Sequence, residues 1–221
     1  MGRKKLIFRG RRIYTMKVLL VNGSPHQRGC TYTALEECMK TLNSEGVETE
    51  LLWLGNKAVQ GCIACGKCRK QGKCVFDDEV NEINGRAESI DGLIVGAPVY
   101  YGGPCSEITA FLDRLFYSSA HRWYKKPAAA VVSCRRGGAT ASFDRLNKYF
   151  SMNNMPIITS QYWNQIHGNT REEALQDLEG LQNMRTLAQN MAWLLKCISA
   201  GRKAGISDPV YETKIGTNFI R

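Results

Sequence analysis

The fold of this chain is decided by the stretch Lys17-Val-Leu-Leu-Val-Asn22 and the loop behind it, Gly23-Ser-Pro-His-Gln-Arg-Gly-Cys-Thr-Tyr-Thr33. The mostly apolar first run predicts a buried strand, and Leu35, Met39 and Leu42 then recur at helical spacing. A strand that passes through a glycine-containing loop straight into a helix is typical of alternating α/β architecture.

The same alternation continues along the chain. Further apolar runs predict strands at Thr49–Leu54, Leu93–Ala97, Ala128–Ser133 and Met155–Thr159, with amphipathic helices between them. The proline in the last run favours an edge position. Continuous apolar strands alternating with helices predict a doubly wound, five-stranded parallel sheet with helices on both faces. Such sheets bind ligands at the carboxyl ends of their strands.

The final helix has its own start signal. Thr170-Arg-Glu-Glu173 has the spacing of a capping box, and Leu178, Leu181 and Met191 continue one apolar side. We therefore predict one long helix from Thr170 onward, with Gly180 as the point where it would be interrupted.

The loop after the first strand has the composition of a phosphate-binding turn. Two glycines allow a tight backbone path, and the free amides of the helix start point into the loop. Four hydroxyl side chains are available to an anion: Ser24, Thr31, Tyr32 and Thr33. The loop lacks both the Lys-Ser/Thr pair of a nucleoside-triphosphate loop and a Gly-x-Gly-x-x-Gly run, which favours a terminal monophosphate. By itself the loop fits an ordinary βα turn with a serine N-cap equally well.

Two more loops leave the same predicted edge of the sheet. One runs Pro98-Val-Tyr-Tyr-Gly-Gly-Pro104, and the other runs Ser133-Cys-Arg-Arg-Gly-Gly138. Aromatic side chains beside exposed backbone amides suit a flat heteroaromatic ring. Three such loops at one edge favour a ligand site over three unrelated turns.

Four of the nine cysteines lie within thirteen residues, at Cys62, Cys65, Cys68 and Cys74. A C-x2-C-x2-C run with a fourth cysteine close behind is suited to an iron–sulfur cluster. Zinc remains an alternative, although its usual pattern is two separated pairs, and unligated thiols are a third reading. The remaining five cysteines fall within helical or strand patterns and are read as packing residues.

These motifs resemble a known family. Gly23-Ser24-Pro25, the helix start at Thr31, Pro98–Gly102 and Gly137-Gly138 are similar to the NADPH-dependent FMN reductases of the flavodoxin-like superfamily, from Met16 to about the fifth strand. The cysteine run resembles that of the iron–sulfur flavoprotein subgroup.

The resemblance implies a flavodoxin-like fold and an FMN site. Residues implied to contact FMN at its phosphate are Ser24, His26, Thr31, Tyr32 and Thr33. Residues implied to border its ring are Pro98, Val99, Tyr100, Tyr101, Gly102, Ser133, Arg135, Gly137 and Gly138. The cluster ligands would be Cys62, Cys65, Cys68 and Cys74. Two positions depart from the family pattern, because many members have Arg at the position of His26 and Asn at that of Cys30.

Charge and composition narrow the class further. The net charge of +10 falls to +4 without the six basic residues of positions 1–15, so we predict no nucleic-acid partner. We expect residues 1–15 to be a poorly ordered basic extension and residues 16–221 to form one domain with a cysteine-rich insertion at about 56–78. No apolar run is long enough to span a bilayer, so we expect no membrane partner. The sequence has no export signal, so we expect its many cysteines to be reduced and the protein to be cytoplasmic.

The functional hypothesis is an oxidoreductase or electron-transfer flavoprotein. Electrons would pass from NAD(P)H or ferredoxin through FMN, and a [4Fe-4S] cluster, to a quinone-like, azo or protein acceptor. The alternatives are a non-catalytic flavodoxin-like carrier and a simple NADPH-dependent FMN reductase without a cluster. No side chain is predicted to act as an acid or base, because the cofactor carries the chemistry. The resemblance also implies a homodimer or homotetramer.

Overall fold

A computed structural model describes residues 7–8, 11–12, 15–217 and 219. Its strands are β1 (Ile7–Phe8), β2 (Arg11–Arg12), β3 (Lys17–Asn22), β4 (Glu48–Trp53), β5 (Gly92–Tyr100), β6 (Gly103–Pro104), β7 (Ala128–Cys134) and β8 (Gln165–His167). Its α-helices are α1 (Cys30–Ser44), α2 (Lys67–Gln71), α3 (Glu79–Gly85), α4 (Ser106–Ser119), α5 (Ala139–Met152), α6 (Arg171–Ala174) and α7 (Leu178–Lys203). Short 3₁₀ turns follow α3 and α4 at Ala87–Ser89 and Ala120–Arg122.

The main sheet has the order β4-β3-β5-β7-β8, and every neighbouring pair in that order is parallel. The doubly wound α/β fold is therefore confirmed. The sheet contains six strands rather than the predicted five, because the two-residue β6 folds back and pairs antiparallel with the end of β5. The strand order reverses direction between β3 and β5, which places the ligand-binding crevice at their carboxyl ends.

Alternate residues of the central strands enter two separate cores. Leu19 and Val21 face one core, where Phe111 of α4 and Phe150 of α5 are buried. Val18 and Leu20 face the other, which α1 and α7 cover. Successive side chains of a strand point to opposite faces, so a strand that is apolar throughout requires helices on both sides.

The fifth parallel strand lies later in the chain than predicted. Met155–Thr159 is not a strand, and within it Ile157 forms a single isolated bridge to Ala128. Pro156 has no N–H group to continue a ladder, although its carbonyl accepts a hydrogen bond from the amide of Ala128 at 2.9 Å. The chain then leaves the edge and returns as β8, which pairs with Val132–Cys134.

The predicted last helix is two helices. Thr170 caps the short α6, accepting a hydrogen bond from the amide of Glu173 at 3.3 Å. A second cap at Asp177 then starts α7, with its carboxylate accepting from the amide of Gly180 at 2.9 Å. Gly180 lies inside the first turn of α7 rather than at an interruption. Its lack of a side chain leaves room for the capping carboxylate of Asp177, from which a Cβ atom at this position would be only 2.5 Å away.

Two further predictions concern the N-terminal extension and membrane-spanning helices. The expected basic extension, residues 1–15, lies mostly outside the described residues. Within its described part, β1 and β2 form an antiparallel pair. Its order therefore stays a prediction. Of the helices in the described part of the chain, none is both long and apolar enough to cross a lipid bilayer.

Candidate functional site

A cavity of about 640 Å³ opens at the carboxyl ends of β3, β5, β7 and β8, and we call it the strand-end cavity. Of the residues predicted to bind a cofactor, it is lined by Ser24, His26, Thr31, Pro98, Val99, Tyr100, Ser133 and Arg135. Its volume is within the range of small-molecule and cofactor sites. The topology therefore brings all three predicted loops to one crevice.

The end of the cavity beside α1 suits a phosphate group. Gly29 is the N-cap of α1 and offers no side chain, so the first amides of the helix remain available to a ligand. Arg28 and Arg135 add positive charge, and no carboxylate is among the residues lining the cavity. The loop is preshaped by two hydrogen bonds: the Ser24 amide donates to Asn22 Oδ1 at 3.0 Å, and the His26 amide donates to Ser24 Oγ at 3.2 Å.

The three hydroxyl residues at the start of α1 point in different directions. Thr31 is buried, and its Oγ1 lies 2.7 Å from Ser133 Oγ across the cavity floor. The Tyr32 hydroxyl donates to Glu36 at 3.0 Å, and that of Thr33 donates to the carbonyl of Gly29 at 3.1 Å. Successive helical residues are rotated by about 100°. Tyr32 and Thr33, both predicted phosphate ligands, accordingly do not line the cavity.

The opposite wall is a tight turn at the end of β5. Tyr101 and Gly102 both have positive φ, 51° and 76°, and this reverses the chain so that β6 pairs with Val99 and Tyr100. The Tyr101 side chain is fully exposed, and neither residue lines the cavity. A tyrosine in the left-handed region has a strained backbone conformation, and such strain is concentrated at functional sites. This turn is therefore a candidate part of the ligand site.

Gly138 supports this wall from beneath. Its φ is +94°, and a Cβ atom there would stand 2.8 Å from Val99 Cγ1 and 2.9 Å from Gly102 Cα. Gly137 has nothing within 4 Å of the same position. Neither glycine lines the cavity, so Gly138 is placed to fix the shape of the wall rather than to contact a ligand.

The fourth side of the cavity is formed by residues 168–170 and the thiols of Cys30 and Cys134, none of which was predicted from the sequence to belong to the site. Cys30 Sγ donates to the carbonyls of Gly168 at 3.4 Å and Thr170 at 3.1 Å, while Cys134 Sγ lies 3.4 Å from His167 Nδ1. Burial raises the pKa of both thiols, which keeps them protonated. The signal was the Thr170 cap, which marked a helix start without revealing that a strand precedes it.

The four predicted metal ligands border a second, small cavity. Cys62, Cys65, Cys68 and Cys74 all line a space of about 30 Å³ against α4, within the segment 56–78 that we call the cysteine loop. Ala64, Gly66 and Gly72 have positive φ, which coils the loop around this space. No three His, Cys, Asp or Glu side chains anywhere in the described ranges are arranged around one metal position. The donor set itself, four sulfurs and no carboxylate around one space, fits a thiolate-ligated centre.

Two side chains from outside the cysteine loop form hydrogen bonds that hold it in place. Asn81 of α3 donates to the carbonyls of Cys74 and Phe76 at 3.0 and 2.8 Å and accepts from the Cys74 amide at 2.8 Å. Arg114 of α4 donates to Cys74 Sγ at 3.3 Å. Neither residue stood out in the sequence, because each is one of several polar residues in its helical segment.

Comparisons with known proteins agree with this geometry. Residues 16–170 match the family model of NADPH-dependent FMN reductases. An iron–sulfur flavoprotein of Methanocaldococcus jannaschii is 31% identical over 191 residues, covering 83% of this chain and 99% of the relative.

Two solved structures share the fold at low sequence identity. RosB with a bound intermediate, 8-demethyl-8-formylriboflavin-5'-phosphate, has a TM-score of 0.65 at 15% identity, covering 94% of each chain. A flavodoxin from the domain Archaea has a TM-score of 0.57 at 16% identity, covering 82% of this chain and 99% of the flavodoxin. The fold is therefore flavodoxin-like. With the family match and the cysteine loop, the chain belongs to the NADPH-dependent FMN reductase family and, within it, to the iron–sulfur flavoproteins.

Proposed function

We propose that this FMN-dependent oxidoreductase takes electrons from NAD(P)H or ferredoxin and delivers them to a quinone-like, azo or protein acceptor by way of a [4Fe-4S] cluster. The observation that carries the proposal is that one helix joins two sites. α4 begins at Ser106, directly behind the wall of the strand-end cavity. It reaches the cysteine loop at Arg114, about 12 Å further along its axis.

The strand-end cavity supports the FMN half of the proposal. The α1 amides with Arg28 and Arg135 would hold the phosphate, and Val99 and Tyr100 would border the ring. When bound, FMN accepts a hydride equivalent and a thiolate-ligated cluster exchanges single electrons. The protein contributes a cavity without carboxylates, which favours an anionic cofactor, and a preshaped loop that need not be ordered on binding.

The charge of the cysteine loop supports a protein or anionic partner at this second site. Lys67, Arg69, Lys70 and Lys73 are exposed on the loop, and no acidic residue occurs between Lys57 and Phe76. Such a patch would offset the negative charge of four thiolates and attract an acidic redox protein such as ferredoxin. Exposed apolar side chains nearby, Ile63 and Tyr117, support a protein contact, whether with a redox partner or with another copy in a homodimer or homotetramer.

The cytoplasm is the compartment we propose, without nucleic-acid or membrane partners. All nine cysteines are free thiols, which suits a reducing environment. One observation favours the simple FMN reductase as the second candidate: Cys62 and Cys65, two of the four cysteines of the loop, are exposed to solvent.

The test is an absorption spectrum of the protein purified without air, with iron and acid-labile sulfide assayed on the same sample. We expect flavin bands with a broad iron–sulfur shoulder in the wild type, loss of the shoulder in Cys65→Ser, and no change in Cys197→Ser, which alters an exposed cysteine on α7. Flavin without iron would leave a simple FMN reductase. NAD(P)H consumption with a quinone, no faster than with free flavin, would instead indicate a carrier.

A further inference from the structure

Arg114 is a buried charge that faces the cysteine loop. Its side chain is 1% exposed, while that of its partner Asp78 is 28% exposed. Taking a guanidinium out of water costs free energy that only paired charges and satisfied hydrogen bonds offset. The partners of Arg114 therefore show what this position is built to hold.

Four of the five guanidinium N–H groups have partners in the cysteine loop. Both terminal nitrogens donate to the Asp78 carboxylate, at 2.6 and 2.7 Å, and one of them also donates to the Gln60 carbonyl at 3.2 Å. The Nε–H donates to Cys74 Sγ at 3.3 Å, and the guanidinium carbon lies 5.0 Å from the centre of the Phe76 ring. The planar fork thus joins the start of the loop, at Gln60, to its last residues, Cys74 to Asp78, from one point on α4.

The contact with sulfur is chemically distinctive. A neutral thiol is a weak hydrogen-bond acceptor, whereas a thiolate or a metal-bound thiolate carries negative charge and accepts a charge-assisted bond. Hydrogen bonds to the sulfurs, net charge and solvent exposure are the features that set the potential of an iron–sulfur centre. A buried cation aimed at one of four clustered sulfurs matches a negatively charged centre better than a set of free thiols.

We propose that Arg114 is a positioning residue of the metal centre: it holds Cys74 in place and raises the electron affinity of the cluster, with Asp78 limiting that effect. This inference rests on the proposed function, since it assumes a cluster on the four cysteines. The four basic residues on the outside of the loop are exposed, so solvent and salt screen them far more than the buried Arg114.

The two members of the pair make opposite predictions. In Arg114→Gln the loss of positive charge lowers the electron affinity of the cluster by tenfold or more, which is a fall of about 59 mV in midpoint potential for one electron. In Asp78→Asn the remaining guanidinium is no longer neutralised, and the potential rises. Asparagine keeps the cap of α3, where Asp78 accepts from the Val80 amide, because its side-chain oxygen is an equally good N-cap.

The experiment is an anaerobic potentiometric titration of the reconstituted proteins with dithionite and redox mediators, followed by absorption, with iron and sulfide contents measured alongside. Arg114→Lys keeps the charge without the fork, so its potential lies between those of the wild type and Arg114→Gln. Arg185→Gln, which breaks an exposed pair with Glu37 on α7 and α1, leaves the potential unchanged.

Each outcome decides the matter. Opposite shifts in the Arg114 and Asp78 variants support the inference. Loaded variants with the wild-type potential, or with shifts of the same sign, would overturn it while leaving the cluster in place. A wild type that binds no iron after reconstitution would overturn the proposed function as well, because Arg114 would have no centre to act on.

Discussion

The strand-end cavity and the cysteine loop lie at two ends of the same helix, but different interactions hold them. The cavity is bordered by short loops whose ends continue into buried parallel strands, so the sheet fixes their spacing. The cysteine loop spans residues 56–78 with one helix of five residues, and Asn81 and Arg114 attach it to the body. Backbone pairing should therefore make the first site robust, whereas the second depends on a few side chains.

The largest effect that would test this contrast comes from the wall of the strand-end cavity. Gly138→Ala places a Cβ against Val99 and Gly102 at a φ of +94°, a conformation that costs a residue with a side chain about 1–3 kcal/mol. We expect the displaced wall to reduce FMN affinity about tenfold or more, measured by quenching of flavin fluorescence.

Gly137→Ala is the matched control, since open space surrounds its Cβ position. Its FMN affinity should remain within about twofold of the wild type, a difference well below 1 kcal/mol. Equal losses in both variants would mean that the wall does not depend on the close approach at Gly138.

An intermediate effect is expected in the cysteine loop. Asn81→Ala removes three hydrogen bonds to the loop backbone at Cys74 and Phe76, and each polar group left unpaired costs about 1–3 kcal/mol. We expect faster amide hydrogen exchange across residues 62–76 and lower iron content, with FMN affinity unchanged.

Gln71→Ala, at an exposed position of the same loop, should leave exchange as in the wild type. A parallel loss of FMN affinity in Asn81→Ala would show that the two sites are not held independently.

The smallest effect concerns the elements on either side of the cysteine loop, β4 and α3, and the pH dependence of their stability. A paired hydrogen bond from Arg86, just beyond α3, holds the pKa of Glu50 on β4 below its usual value of 4.5. A carboxylate with a lowered pKa in the folded state adds stability above its unfolded pKa and loses it as the pH falls through the lowered value. The urea midpoint should therefore fall on acidification, and less so in Glu50→Gln.

The effect is small because both side chains are 32% exposed and solvent screens the pair. Glu82→Gln, which alters a more exposed carboxylate 3.7 Å from Arg86, should retain the acid dependence of the wild type. An identical acid dependence in Glu50→Gln would remove Glu50 from the account.

The sequence by itself determined the α/β class, the helices on both faces and the edge of the sheet where a ligand binds. These features follow from apolar runs of strand length and from glycine-rich turns. Both patterns lie within short stretches of sequence and agree with one another along the chain. The four cysteines were recognisable for the same reason, since their spacing is local.

Only the tertiary structure decided which side chains meet. The last strand is β8 rather than Met155–Thr159. Pro156 has no N–H to continue a ladder, and regular pairing with β7 resumes only where the Asn164 carbonyl accepts from the Val132 amide at 2.9 Å. Thr31 faces Ser133 while Tyr32 turns to Glu36, and this depends on where α1 begins relative to β7. Arg114 reaches Asp78 and Cys74 across 36 and 40 residues of chain. A contact between distant residues leaves no periodic or local trace, and it forms only when packing brings the two elements together.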